Sequence, residues 1–508
     1  MMTLQLASIG EITWDWKSLV SIALLFGASL GLVRTFHAWY RLRHIKGPFL
    51  ASFSKLWLIR TVSSGNMHWE CAKVCETYGS LARVGPNFLI TSDPEQMRKM
   101  LSVRSLYRRS DWYVGMRFDP SSENVASERN DEKHTALRAK MAAGYSGKEV
   151  PNLETSVDQN VAAFIALIDK YVTTGSDYKP LDFGRKAQYF TLDVITTLAF
   201  GRAFGFVATD SDVFDYIKTV EETLPAAQMV TVLPWINWVL QMRLVKRFLP
   251  SEKDPIGFGK LMGITKEMVG QRFGQRSEGF GEDILGSFIR HGLSQEEVES
   301  ETILQIIAGS DTTAVAIRII CLYLITTPRV LERFRAEYSN ASISSPIQDI
   351  EARNLPYLQA IIKEGLRIWP PVVGLMAKEV PAGGDIVNGL FVPGGTSIGY
   401  CAFGMFRDKK IFGDDADTFR PERWLDSSPE KTKEQEQTLE LIFSYGKYQC
   451  MGRNVALMEL NKVFVEIFRR FDFAVVDPQK PIGFNICMGV FAISDFWVTV
   501  TRREGSPA

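Results

Sequence analysis

One ten-residue stretch constrains this chain more than any other: Phe443-Ser-Tyr-Gly446-Lys-Tyr-Gln-Cys450-Met-Gly452, a cysteine in a glycine-bounded loop followed at once by an apolar, helix-forming run over 454–465. Any fold containing it sets the cysteine at the mouth of a helix. Backbone N–H groups and the helix N-terminus offset a thiolate's charge there. That is the condition under which a thiolate serves as axial ligand to haem iron, donating electron density that favours oxygen–oxygen cleavage. Gly446 and Gly452 are expected to let the backbone approach a macrocycle closely. Taken alone, a buried structural cysteine in a tight turn is the plainer reading; further motifs displace it.

The longest helical pattern begins at Ser294, where Ser294 and Glu297 form a capping-box signature, and stays apolar until Thr327-Pro328. Inside it Ala308-Gly309 removes side-chain bulk just where Asp311-Thr312 supplies an acid and a hydroxyl. A small residue there admits a diatomic ligand, and the hydroxyl can bond a backbone carbonyl and open the ladder locally. Together the carboxyl and hydroxyl can relay protons. Glu364 and Arg367 lie three apart near the end of a helix started by Pro356 and stopped by Pro370-Pro371, so both face one side. Their reading is structural rather than catalytic, and an ordinary helical ion pair satisfies the same spacing. His134 and Arg138, at i and i+4, aim the same way. His68, Cys71 and Cys75 share a helical face and could ligate a metal, but no fourth ligand is evident nearby, so buried thiols beside a surface histidine are preferred.

Together these segments resemble the cytochrome P-450 superfamily of haem-thiolate monooxygenases, whose cysteine loop reads F-x-x-G-x-x-x-C-x-G. Every fixed position of that pattern is met, and Ala308-Gly309-Ser-Asp311-Thr312-Thr313, Glu364-Gly-Leu-Arg367 and Phe419-Arg-Pro-Glu-Arg423-Trp424 stand in the family's order. The resemblance covers the C-terminal half densely and the N-terminal half thinly. It implies a mostly α fold with small β-sheets, haem b with Cys450 as axial ligand, and proton delivery by Asp311 and Thr312. Glu364, Arg367 and Arg423 are implied to form a buried charged network holding the cysteine loop. His134, Arg138 and Lys378 are implied to meet the haem propionates. Two positions depart from the family: the usual arginine two before the cysteine is Tyr448, and a cation fourteen after Glu364 is Lys378 instead of arginine. Lys447 is the expected substitute for the first, a point charge in place of a fork.

By the same resemblance the substrate pocket draws on the segment before His134, on Ile307 and Ala308, on Val372, Val373 and Met376, and on Val490 and Phe491. These are almost wholly apolar, which suits a lipophilic metabolite. The 363–399 region and the phrase Lys-Tyr-Gln-Cys450 look most like fungal secondary-metabolism members of the pisatin demethylase-like group. A terpenoid such as an abscisic-acid precursor is the expected substrate. No phosphate-cradling loop or dinucleotide fingerprint occurs, so electrons are expected from a separate NADPH-dependent, flavin-containing reductase, with O2 as co-substrate. Two other classes stay open: an oxygen-independent isomerase or dehydratase on the same fold, against which Asp311-Thr312 argues, and a non-catalytic haem- or lipid-binding membrane protein.

Lysine plus arginine equals aspartate plus glutamate at 58 each over 508 residues, so bulk charge suggests no nucleic-acid partner. Six scattered cysteines form no disulfide-like framework, as in a reducing compartment. An apolar run at 19–33 is flanked by Lys17 and Arg34, with Trp14 and Trp16 before it and Trp39 and Tyr40 after it as interfacial residues. It reads as one membrane anchor (1–44) ahead of a catalytic domain (45–508); a cleaved signal peptide would want a basic start that the first ten residues lack. Arg34, Arg41, Arg43 and Lys46 follow the run while Glu11 and Asp15 precede it. The positive-inside rule then keeps the C-terminal part cytosolic, on the endoplasmic reticulum membrane, and leaves the sequon Asn340-Ala-Ser342 unmodified. Lys46-Gly47-Pro48 reads as a turn, 81–90 and 386–398 as small sheets, 157–171 and 457–470 as helices, and the charged stretch 426–436 as a solvated loop.

Overall fold

The computed structural model describes residues 16–119, 121–174, 177–274 and 281–505. Glu11, Trp14 and Asp15 lie outside the described residues. The first element is a helix, Trp16–Arg41, whose Leu19–Arg41 stretch of 23 residues is apolar and unburied. At 1.5 Å per residue that is about 35 Å, enough to cross a hydrocarbon core. It is a candidate membrane span.

Its far end is fastened to the globular part. Arg83 donates to the carbonyls of Ala38 (3.1 Å) and Trp39 (3.4 Å). Leu42 is fully buried and clusters with Ile45, Leu81, Leu89 and Val380. Globular packing therefore starts at Leu42, ahead of the boundary expected at residue 45. The expected turn at Lys46-Gly47-Pro48 is displaced as well: the chain turns at 42–44, and Lys46 runs along the first sheet, its carbonyl accepting from the Arg83 N–H at 2.8 Å. A Cβ on Gly47 would stand 2.0 Å from the Arg83 carbonyl, so glycine is needed for the close approach.

That first sheet has five strands in the order Leu81–Gly85, Phe88–Thr91, Ser397–Tyr400, Lys378–Glu379, Arg108–Arg109. A hairpin, Asp385–Val387 with Leu390–Val392, stands beside it, as the glycine- and proline-punctuated runs predict. A three-stranded sheet (Leu181–Asp182, Trp497–Arg502, Phe471–Val475) and the hairpin Phe484–Cys487/Phe491–Ser494 complete the β-structure.

Helices make up most of the rest. The expected segments at 157–171 and 457–470 are helices Leu153–Asp169 and Arg453–Phe468. The long helix is Gln295–Thr326, 32 residues, and Ser294 and Glu297 close the capping box reciprocally. It too is long and apolar enough to span a membrane, but most of it is buried against other helices, as in a core helix. Helix Phe183–Phe200 crosses it, and Gly309 marks the crossing: a Cβ there would meet Ile195 Cγ1 at 2.8 Å. Gly309 thus serves helix packing, and Ala308 alone supplies the expected open space.

The stretch 426–436 is not a loop. It enters helix Pro429–Glu440, capped by the Ser428 hydroxyl and started by Pro429 at its first position. Lys431 and Glu434 pair at 2.7 Å, and Gln435, Thr438 and Leu439 are buried. A strong start signal and one buried stripe outweigh low average hydrophobicity.

Candidate functional site

Cys450 sits where the sequence demands. Its N–H donates to the Phe443 carbonyl at 2.7 Å, closing the loop, and Gly452 caps helix Arg453–Phe468. Cys450 is exposed, and it lines a cavity of about 1100 Å³. Desolvation pushes the Cys450 thiol up, while the N–H groups of Gly452 and Arg453 and the charge of Arg138 pull it down. A thiolate therefore has donors waiting, and a cationic partner such as iron tips the balance. The loop glycines divide their work. Gly446 has φ +57°, and a Cβ on it would stand 2.5 Å from the Leu101 carbonyl, so it fits the loop to the neighbouring chain rather than to a macrocycle. Gly452 leaves 4.0 Å between an added Cβ and Cys450 Sγ, keeping that side of the thiol open.

Ile307, Ala308, Asp311 and Thr312 of the long helix line the same cavity. The Thr312 hydroxyl donates to the Ala308 carbonyl at 2.8 Å, one turn back, although the helix stays α-helical through the site instead of opening. Asp311 accepts a short hydrogen bond from Gln188 Nε2; Gln188 Oε1 accepts from Arg318 at 2.8 Å, and Arg318 also donates to the Gly184 carbonyl at 2.7 Å. Burial raises the Asp311 carboxyl to about 6, against the opposing pull of Arg318. Gln188 escaped sequence reasoning; its only signal was a polar residue in an otherwise buried helix.

A second side of the site is cationic. Arg109 and Arg138 line the cavity; His134 and Lys378 stand among them, buried, with both ring nitrogens of His134 and Lys378 Nζ without partners. Burial, reinforced by Arg109, lowers His134 to about 3 and holds Lys378 well below the usual lysine range. Lys378 lies over the Tyr448 ring, 3.4 Å from its centroid. The unpartnered Lys378 ammonium and His134 ring, with the Arg109 and Arg138 guanidinium groups beside them, fit an anion with several oxygens, as a haem's propionates provide. Arg109, missed in the sequence, belongs to this set; the Arg108-Arg109 pair was its signal. Lys447 does not: its ammonium donates to Asp131 at 2.8 Å, and Tyr448 donates to the other Asp131 oxygen at 2.8 Å. Both side chains are claimed by the start of helix Asp131–Tyr145, so Lys447 is no substitute for the missing arginine.

Glu364, Arg367 and Arg423 form the expected network, each fully buried. Glu364 accepts from both arginines at 2.8–3.1 Å and from Trp424 Nε1 at 3.0 Å. Arg367 also donates to the carbonyls of Phe406 and Ala416, at 2.8 and 2.7 Å. The network ties helix Pro356–Ile368 to the 406–424 segment; its contacts do not reach the cysteine loop itself. Of the anticipated pocket residues, Ile307, Ala308, Val372, Met376, Val490 and Phe491 line the cavity. Val373 does not: its N–H donates to the Gly489 carbonyl at 2.8 Å and its side chain packs in the core.

His68, Cys71 and Cys75 separate chemically. His68 is buried, not at the surface, with its ring edge-on to Phe403 and Phe491 at 4.8 Å. Cys75 and Cys401 are free thiols that hydrogen-bond to each other. Among the described residues no group of three or more histidine, cysteine or acidic side chains is placed to hold a metal ion.

Comparison with known proteins agrees with this geometry. The family model described as Cytochrome P450 matches residues 46–491. A cytochrome P450 monooxygenase ABA1 of Pyricularia oryzae is 40% identical over 99% of this chain and 100% of its own length. The cytochrome P450 monooxygenase aba1 of Botryotinia fuckeliana is 41% identical over 92% of this chain and 93% of its own. A cytochrome P450 monooxygenase abl1 of Leptosphaeria maculans is 36% identical over 96% and 88%. The chain therefore belongs to the cytochrome P450 family, as an oxygen-incorporating oxidoreductase for which membership implies haem under a cysteine thiolate, a redox partner, O2 and a lipophilic substrate.

Proposed function

We propose that this protein is a membrane-anchored monooxygenase of fungal secondary metabolism that oxidises a terpenoid, such as an abscisic-acid-type sesquiterpenoid precursor, with electrons from an NADPH-dependent reductase. The observation that carries the reading is the shared cavity: the Cys450 thiol, the Asp311-Thr312 pair and the cationic set all give onto or stand against one largely apolar space. Cys450 ligates the iron of haem b, and Arg109, His134, Arg138 and Lys378 hold its propionates. Bound haem supplies the redox centre at which O2 is reduced and one oxygen atom passes to a C–H bond.

The chain's own residues supply the protons. Asp311, raised to about 6, exchanges a proton near neutral pH, and Gln188 fixes which oxygen faces the cavity. Thr312 presents its hydroxyl beside the small Ala308 in the cavity wall. Apolar walls exclude water from the reacting carbon and orient a lipophilic substrate. Near full-length likeness to the ABA1 proteins supports a common substrate class. The Trp16–Arg41 helix and the basic residues after it support an anchor in the endoplasmic reticulum membrane with the globular part cytosolic. Microsomes carrying the protein and a reductase, given NADPH, ¹⁸O2 and a sesquiterpenoid panel, are expected to yield products heavier by one ¹⁸O; conversion without ¹⁸O incorporation or NADPH consumption contradicts the proposal.

A further inference from the structure

The cavity wall is apolar with a few exceptions, and one of these is placed with unusual care. Gln228, near the end of helix Tyr216–Val232, lines the cavity and is nine-tenths buried. Its carboxamide is not among the buried polar atoms sealed off without a partner; it opens onto the cavity. It lies against Gly489, where an added Cβ would stand 2.8 Å from Gln228 Oε1. Gly489 has φ +119°, and its carbonyl accepts from the N–H groups of Val373 (2.8 Å) and Gly374 (2.7 Å), so the turn beneath the carboxamide is fixed. A glycine is thus required twice, by conformation and by the side chain resting on it. Gln305, on the long helix one turn before Ala308, lines the same cavity, and its amide nitrogen is buried without a partner.

A carboxamide facing an otherwise apolar cavity loses its hydrogen bonds to water when a ligand enters, unless that ligand supplies a partner. Held in position against Gly489 and facing the cavity, it recognises something that enters there. A carboxamide both donates and accepts, so it selects a ligand carrying an oxygen: a hydroxyl, a carbonyl or a carboxyl. We infer that Gln228, seated on Gly489, is a specificity-determining residue that hydrogen-bonds an oxygen function already present on the substrate. This deepens the reading above and rests on it. The substrate is then not a bare hydrocarbon but a mono-oxygenated terpenoid, whose oxygen was placed by an earlier oxidation or hydrolysis. Gln305 offers a second polar point on the facing helix, close to the Ala308 opening.

The test uses the full-length, haem-loaded protein in detergent, with haem content measured first, and two probes of one skeleton: valencene, a hydrocarbon, and nootkatone, its ketone. Soret-shift titrations give an affinity for each. Gln228→Met is expected to weaken nootkatone by roughly tenfold, the worth of one hydrogen bond to a buried amide, and to leave valencene within about twofold. Gln228→Glu keeps the shape but carries an acceptor-only carboxylate, and is expected to weaken nootkatone at least as much. Equal weakening of both probes, no change in either, or a wild type that does not bind nootkatone would overturn the inference. A wild type without haem contradicts the underlying reading instead, which keeps the two failures distinguishable.

Discussion

Single residues here are tuned by what they touch, and Asp311 shows it most clearly. Buried on the long helix and braced by Gln188, its carboxyl is raised to about 6, so it carries a proton below that pH and is ionised above it. If the protonated form feeds the cavity, turnover with saturating reductase falls as pH rises through about 6. Asp311→Asn cannot exchange that proton: it is expected to remove this limb of the pH profile and lower kcat by about 10²-fold, with substrate affinity little changed. A variant that keeps both the limb and the rate would remove Asp311 from proton delivery. The residue scale is also where sequence reading had its clearest gaps. Cys450, Asp311 and Thr312 were legible because their chemistry sits in contiguous patterns. Gln188 and Arg109 were not, since each reaches the site from a separate element and only tertiary contact reveals it. Lys447 misled for the converse reason: its place in the chain is right, but Asp131 claims its charge.

Among the ion pairs that join elements, one network is wholly buried. Glu364 binds Arg367 on its own helix and Arg423 from a distant segment, all without exposure to water. Removing the carboxylate leaves Arg367 without a charged partner and Arg423 with Asp415 alone, which costs about 3–5 kcal/mol for such a buried pair. Glu364→Gln is expected to shift chemical denaturation by that amount and to lose haem on purification; a loss below about 1 kcal/mol would show the network to be dispensable. At this scale the long helix was fully readable, because its cap, its length and its proline stop all agree. The 426–436 stretch was not, because average polarity hid a Ser428 cap and one buried stripe. The glycines teach the same lesson: Gly309 and Gly446 looked like room for a ligand, and both proved to be room for neighbouring chain.

At the scale of the whole molecule the chain is an apolar helix fastened to a large helical body that carries four small sheets among the described residues. The fastening is specific, since Arg83 holds the carbonyls of Ala38 and Trp39 and Leu42 is wholly buried. Removing residues 1–37 is expected to release the protein from membranes with its stability intact. Removing 1–44 exposes the pocket that Leu42 fills and forfeits about 2 kcal/mol, read as an earlier denaturation midpoint; equal stability of the two truncations would place the boundary where the sequence suggested. The architecture as a whole was legible because the helical periodicities and the four motifs stand in one order, whereas the partition of the cavity wall depended on side-chain directions that no spacing encodes. All of it converges on one sulfur. The most direct test is the carbon monoxide difference spectrum of the reduced protein, wild type beside Cys450→Ser. The account predicts a strongly red-shifted Soret band in the wild type that the variant loses; well-folded wild-type protein lacking that band, or a variant that keeps it, would contradict thiolate ligation by Cys450.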